Sequence, residues 1–510
     1  MPRQHPIARE TQDHDVAIKD FGGVNTQAGR TAISDNEFAW LENVMPVGYA
    51  NLKCVPYQGS PVATIGGVTI THFKYHNLAN VDYLMCFTSG GAGYAINLSS
   101  FVSTLIGAAG TFTGTVTCAQ WKNERALIIA SNNYWSWDIV GGLVALGGVT
   151  GAPSAGQTIA TYGGRVWVGN NRTISFSAPN SYQDFQTASS GGSFIITDET
   201  LHSNITSMLP ANNFLYVVGD SSFNVISDVR LGTGAPLPTI FSNTNISALI
   251  GTDLPHSIFP YYRSIAFATR YGFYIISGAT PQKISDNLDG IIPLIDYAQE
   301  VSGGVSNIFQ ILGMAFLFIY KEPGASSRPL LAIYFNKKWF FASQGASLTM
   351  ITDGFQSGVP ALFGTDGSNI WKLFSNTSSN INSKIVTPLW PMTKPTSMKE
   401  GLKAGVELTS VTADTSFTLT LDSDFGIFPV NLTAANSIQW INGAGVLMTW
   451  QNNVLATITW LTPGFSIYQA DADFKGRYLG YTMTSPSPGY SVNGFLNQHQ
   501  ISTPWATRAS

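Results

Sequence analysis

His72 and His76, in the stretch THFKYH, have a spacing that serves a metal ion when it falls on a helix. The flanking pattern is that of a strand, on which the two still share a face. No third ligand stands nearby in sequence, so surface or half-buried histidines are expected. Two acidic pairs, Asp422 with Asp424 and Asp471 with Asp473, could offer oxygen ligands to calcium. Neither continues into an EF-hand-like loop, and both fall at strand ends, where carboxylates cap turns. Arg165, Arg263 and Arg270 could gather into a carboxylate-binding cluster only if the fold brings them together.

Other reaction chemistry has no local signature. There is no G-x-S-x-G elbow, Walker loop, metal-binding Cys pair or H-E-x-x-H. Hydrolysis of a glycoside needs only two carboxylates from distant loops, so a missing motif lowers that possibility without removing it. The expectation is a protein that is not an enzyme, with no catalytic, cofactor-binding or metal-ligating residue assigned and no cofactor. Trp121, Tyr134, Trp135, Trp137 and Trp167 could stack on sugars or bases, but wedging between sheets is the expected role. Cys54, Cys86 and Cys118 are odd in number and far apart, which predicts buried free thiols.

Composition limits the class. Charged residues are 11% of the 510, against about 25% in an ordinary soluble domain. The surface must therefore be covered by Ser, Thr, Asn, Gln and Gly. Fifty Gly, 25 Pro and 12% aromatics suit short strands and tight turns. A net charge of −4 gives no basic footprint for gripping phosphates. The polar opening, MPRQHPIARETQDHD, has no apolar core of a signal peptide. The apolar run from Ile311 to Tyr320 is about half of the roughly 20 residues that a membrane span needs, so a core strand and no membrane span are expected.

The elements that position these residues are hairpins. From Arg165 to Ala178, two stretches of period-two alternation flank the turn residues Asn170 and Asn171. Variants recur at 83–98, 126–139, 214–227, 264–277, 314–341 and 361–374. Their pitch of roughly 40 to 50 residues is that of propeller blades. Closure follows physically, because a lone hairpin leaves an apolar face unpartnered and two edges unpaired. The fold expected is all-β: a β-propeller of six or seven blades over 61–385, followed by a β-sandwich-like platform domain over 386–510. Before them, residues 1–20 read as a flexible arm and 21–60 as a short helix, capped by Ser34 and Glu37 and ended by Pro46, plus a strand. Chain order suggests that this strand, near Asn51 to Tyr57, latches the final blade. TDGSNIW, Thr365 to Trp371, is close to the Asp box of sialidase-type propellers, but Asp366 directly precedes Gly367 where the box inserts a residue, which predicts a generic hairpin.

Three sets of residues together resemble the tail nozzle (tail hub, or tail tubular B-like) proteins of short-tailed bacteriophages, the podoviruses. The opening holds Gly22, Gly23, Asn25 and Thr26, then Glu37, Leu41, Asn43, Lys53 and Pro56. The propeller exit holds Thr387, Pro388, Leu389 and Trp390, then Lys399, Leu402, Val406, Glu407 and Leu408. The close holds Gly476, Arg477, Tyr478 and Gly480. The central hairpin is similar to the family's through Gly219, Ser221 and Val225. The resemblance covers most of the chain from residue 21.

It implies a structural virion protein, a homohexameric ring below the portal and the adaptor (head-to-tail connector). Tail fibre or needle proteins would be further partners, and genome DNA would occupy the lumen without sequence-specific binding. Such a protein is made in the host bacterial cytoplasm and resides in the virion tail. The arm before Phe21, Gly232 to Thr244 and Glu322 to Pro329 are then candidate contacts with neighbours, and the sequence leaves open which of Asp286, Asp289, Asp296 and Glu300 face the lumen. The rival reading is a glycan-binding or glycan-hydrolysing propeller acting in receptor recognition.

Overall fold

The computed structural model describes residues 13–501 apart from 197–203, 248, 279, 298–301, 306–312, 322–326, 380, 393–394, 411–414, 435–439, 442–446, 449, 452–456 and 459–465. Glu300 and most of the loop from Glu322 lie outside the described residues. The chain divides into two compact units. One holds Gln58–Asn336 and Gln344–Phe374; the other holds Met1–Tyr57, Lys337–Ser343 and Ser375–Ser510.

The first unit is a β-propeller with six four-stranded antiparallel blades. Their innermost strands are Ile70–Leu78, Thr117–Trp121, Thr158–Tyr162, Ser207–Ala211, Phe259–Tyr261 and Met350–Gln356, which follow one another around a central axis. Between the fifth and sixth comes a further sheet of Ser302–Val305, Met314–Tyr320 and Arg328–Phe335. Met314–Tyr320 is the expected apolar core strand, buried along nearly its whole length.

Short turns make the blades possible. In four of the six blades the inner strand passes to the next through a two-residue connection, Ala79–Asn80, Gly163–Gly164, Asn212–Asn213 or Ser357–Gly358, with both residues at positive φ. Such turns match the right-handed twist of the strands they join. Neighbouring blades then close on each other through apolar side chains. Phe87, Cys118, Ile128, Trp135 and Trp137 fill the seam between the first two blades. Trp121, Tyr134, Val166 and Phe185 fill the next, and Trp167, Phe176, Leu215 and Ile226 the one after it.

The ring is latched by Pro61–Thr64, which pairs antiparallel with Asn369–Lys372 to complete the sixth blade. The expected latch near Asn51 to Tyr57 is corrected accordingly. Leu52–Cys54 instead pairs with Val44–Pro46 and with Tyr490–Ile501 in the other unit.

The second unit is assembled from both ends of the chain as two sheets. In one, Tyr490–Ile501 pairs along its length with Lys399–Ser410, which pairs in turn with Ser466–Asp471. In the other, Trp40–Glu42, Ser383–Val386, Leu479–Ser485, Thr415–Ser423 and Ile427–Ala434 lie side by side. Tyr481 of one sheet stacks on Phe495 of the other at 5.3 Å, and its hydroxyl donates to Leu496 O at 2.7 Å. The two sheets thus face each other, as the sandwich-like reading anticipates.

Two expectations near the N-terminus are overturned. No α-helix forms between Ser34 and Pro46; the segment runs through turns into the strands Trp40–Glu42 and Val44–Pro46. Half of the capping box exists, with Ser34 N donating to Glu37 Oε2 at 3.1 Å, but Glu37 N donates to the backbone Ser34 O at 3.0 Å, a turn bond. The following amides find distant partners instead of helical ones: Phe38 N donates to Gly23 O and Asn43 N to Phe341 O. Asn43, at φ 59°, separates the two strands, and its side chain ties Ser343 and Asn382 to the turn. This close threading requires Gly22 and Gly23, where a Cβ would meet Asn36 O at 2.6 Å and Trp339 N at 2.7 Å. Nor is the whole of 1–20 a loose arm. Asp13–Ile18 is a strand antiparallel to Tyr490–Ile501, because that strand otherwise presents an unpaired edge there.

Candidate functional site

The innermost strands converge on an axial cavity of about 180 Å³ lined by His72, Lys74, Cys118, His256, Thr352 and Asp353, among others. His72 and His76 lie on one face of Ile70–Leu78, and Cys118 approaches them from the innermost strand of the next blade. The Cys118 sulfur lies 3.4 Å from His72 Nε2 and 3.1 Å from His76 Nε2, and the His256 ring is 5.8 Å from that of His72. Both strand histidines are buried, at 8% and 2% exposure, which corrects the expectation of surface or half-buried side chains.

Burial sets the chemistry of this cluster. Loss of water pushes His76 down to about 3, with nearby Lys74 adding to the shift. Burial, then His256, Lys74 and His76, lower His72 as well. The Cys118 thiol is raised to about 12 by burial, against a smaller opposing pull from Lys74. A catalytic Cys–His pair needs thiolate character, and these groups are held neutral. Among the described residues, no three His, Cys, Asp or Glu side chains are arranged to hold a metal ion. The cluster is buried and linked through the Cys118 sulfur to both strand histidines.

The remaining candidates separate rather than converge. Asp422 is buried against Arg30 Nη1 at 2.7 Å and accepts from Thr482 Oγ1 at 2.6 Å, which makes it part of an ion pair rather than a turn cap. Asp424 does cap a turn, accepting from the amides of Arg477 and Tyr478 and from Arg477 Nε. Burial alone would raise its pKa, but these bonds prevail and lower it. Asp471 ends the strand Ser466–Asp471 opposite Lys403, and Asp473 follows it outside any strand.

Arg165 is buried and donates to Ser177 O and Ser190 O at 2.6 and 2.8 Å. Arg270 pairs with Asp253 at 2.7 Å, so no arginine cluster unites the two. Asp366 folds its own turn, accepting from the amides of Ser368 and Asn369 and from Trp371 Nε1. The five aromatics from Trp121 to Trp167 all lie buried between blades. Cys54, Cys86 and Cys118 are free and buried.

Two further concavities carry solvent-facing side chains. In the propeller, a cleft of about 640 Å³ is bordered by Tyr75, Asn80, Asp82, Ser99 and Phe355. In the other unit, Tyr49, Asp20, Asp35, Asn36 and Trp390 border a groove of about 390 Å³. Sequence reasoning missed both, because each is bounded by turns far apart in the chain.

No family model and no curated protein matches this chain. Solved structures align with this chain only at low similarity. The extracellular domain of a hybrid two-component system from B. thetaiotaomicron aligns at 12% identity and TM-score 0.40, over 64% of this chain and 40% of that one. BBS1N, crystallised with ARL6DN, aligns at 11% identity and TM-score 0.41, over 62% of this chain and 96% of its own. The computationally designed Ika8 protein aligns at 11% identity and TM-score 0.37, over 62% and 100%.

Proposed function

We propose that this chain is a structural virion protein, the tail nozzle of a short-tailed phage. The observation that carries the proposal is where the segments bearing the resemblance meet. The opening, the propeller exit and the closing strand are separated by hundreds of residues, yet all three belong to one unit. Arg30 Nε donates to Thr387 O at 2.9 Å, Trp390 Nε1 donates to Asp35 O at 2.8 Å, and Trp390 bridges to Leu479. Motifs that resemble a family in sequence order thus form one packed assembly, which supports a shared architecture over a chance likeness of short stretches.

In this reading six copies form a ring beneath the adaptor, and the ring's lumen holds genome DNA until ejection. A neutral or acidic lumen repels the phosphate backbone, so DNA slides instead of sticking. The net charge of −4 suits that role. Heterologous contacts around a ring need two different patches per subunit, and the exposed outer strands of the blades, with Val144 and Ile195 at their surface, offer apolar area for one. Labelled protein supplied to adaptor-bearing, tailless particles tests the reading. Incorporation at the tail vertex is expected, and failure to dock there would overturn it.

A further inference from the structure

We propose that the cleft between the sixth and first blades binds a neutral pyranose unit. The site is built from two inner hairpins whose turns, Ala79–Asn80 and Ser357–Gly358, border the same concavity. Its volume of about 640 Å³ is in the range of small-molecule sites.

The two sides of the cleft supply complementary chemistry. Phe355 leaves 44% of its surface exposed and stands 6.1 Å from the Tyr75 ring. The Tyr75 ring is seated against Gly354, where any Cβ would meet it at 2.4 Å. Tyr75 Oη and Asn77 Nδ2 both donate to Asp82 Oδ1, at 2.6 and 2.8 Å. Asp82 is 9% exposed, and its second oxygen has no protein donor among the described residues. A carboxylate held so rigidly, with one oxygen unused, suits a pair of neighbouring hydroxyl donors.

Asn80 adds the opposite polarity. Its Oδ1 accepts from Asn123 Nδ2 at 2.7 Å, which leaves its own amide N–H groups to donate. An apolar ring face for the C–H side of a sugar, an acceptor and a donor within one cleft is the recognition set of a saccharide. Asp82 and nearby Asp353 disfavour an anionic ligand.

The inference does not rest on the virion reading. A free saccharide and a sugar unit within a surface polysaccharide offer the same chemistry, and the test separates them. The full chain is titrated, by saturation-transfer NMR, with methyl glycosides of glucose, galactose and mannose, and in a second arm with purified bacterial O-polysaccharide. Saturation at one glycoside, or at the polysaccharide alone, is expected, weakened at least about tenfold by Phe355→Ala and by Asp82→Asn. Phe355 is half exposed, so its variant keeps the fold, and an unchanged melting temperature verifies that. No binding in either arm, or binding unchanged by Phe355→Ala, would overturn the proposal.

Discussion

In the propeller unit, buried polar groups such as Arg165 and His76 find partners one hairpin or one blade away. Arg165 reaches carbonyls 12 and 25 residues on, and His76 meets Cys118 at a separation of 42. In the unit built from the chain ends, Arg30 meets Asp422 across 392 residues and Asn43 meets Ser343 across 300. Lys19 pairs with buried Glu407 at 2.8 Å, and Lys399, fully buried, donates to Arg477 O at 2.6 Å. The propeller is thus held mainly by apolar seams between locally formed sheets, whereas the second unit relies on polar ties between remote segments. Long-range ties of that kind close only after large loops are ordered, and each removed partner leaves a buried group stranded.

The largest predicted effect breaks a seam. Trp167, fully buried between the third and fourth blades, contacts Phe176 and Phe241. Trp167→Ala should destabilise the propeller by about 4 kcal/mol, seen as an earlier unfolding transition in denaturant while the transition of the other unit stays in place. A single coincident shift would mean that the two units unfold as one.

Somewhat smaller is the effect of removing a remote tie. Arg30→Ala leaves buried Asp422 without its cationic partner and should cost about 3 kcal/mol, confined to the unit of the chain ends. Equal loss in both transitions would contradict the division of labour.

The smallest effect is on pH, and it sharpens the comparison. His499 is held down to about 4 by burial, then by His14 and Lys399, and His76 to about 3. Each has a folded value below the ordinary 6.5 of histidine, so the unfolded chain binds more protons in between. Stability from each neutral histidine is complete above about pH 6.5 and falls as pH drops through that interval. It should level off near pH 4 for the unit holding His499 and continue to fall toward pH 3 for the propeller. His499→Phe, followed by denaturant midpoints against pH, should flatten the first profile and leave the second unchanged.

The same contrast explains what could be read in the sequence. Blade hairpins such as Arg165 to Phe176 are legible because alternation and turn residues are local. The strand Trp40–Glu42 was not, since Phe38, Leu41 and Val44 have a spacing that fits a helix, and only amides paired with remote carbonyls decide for extended backbone. The strand Asp13–Ile18 was likewise hidden, because its partner lies at Tyr490–Ile501. The cluster at His72 was half legible: the shared face of the two histidines was visible, and the third member could have been found by stepping one blade pitch onward to Cys118. The cleft at Phe355 gave no local signal, being formed by the first and last blades of the ring.

The most direct test of the nozzle reading is the native mass of the purified full chain, with negative-stain imaging of whatever assembles, alone and beside adaptor-bearing particles. The account predicts six-fold rings, or six copies at the tail vertex. A persistent monomer or trimer that neither rings nor docks would contradict it.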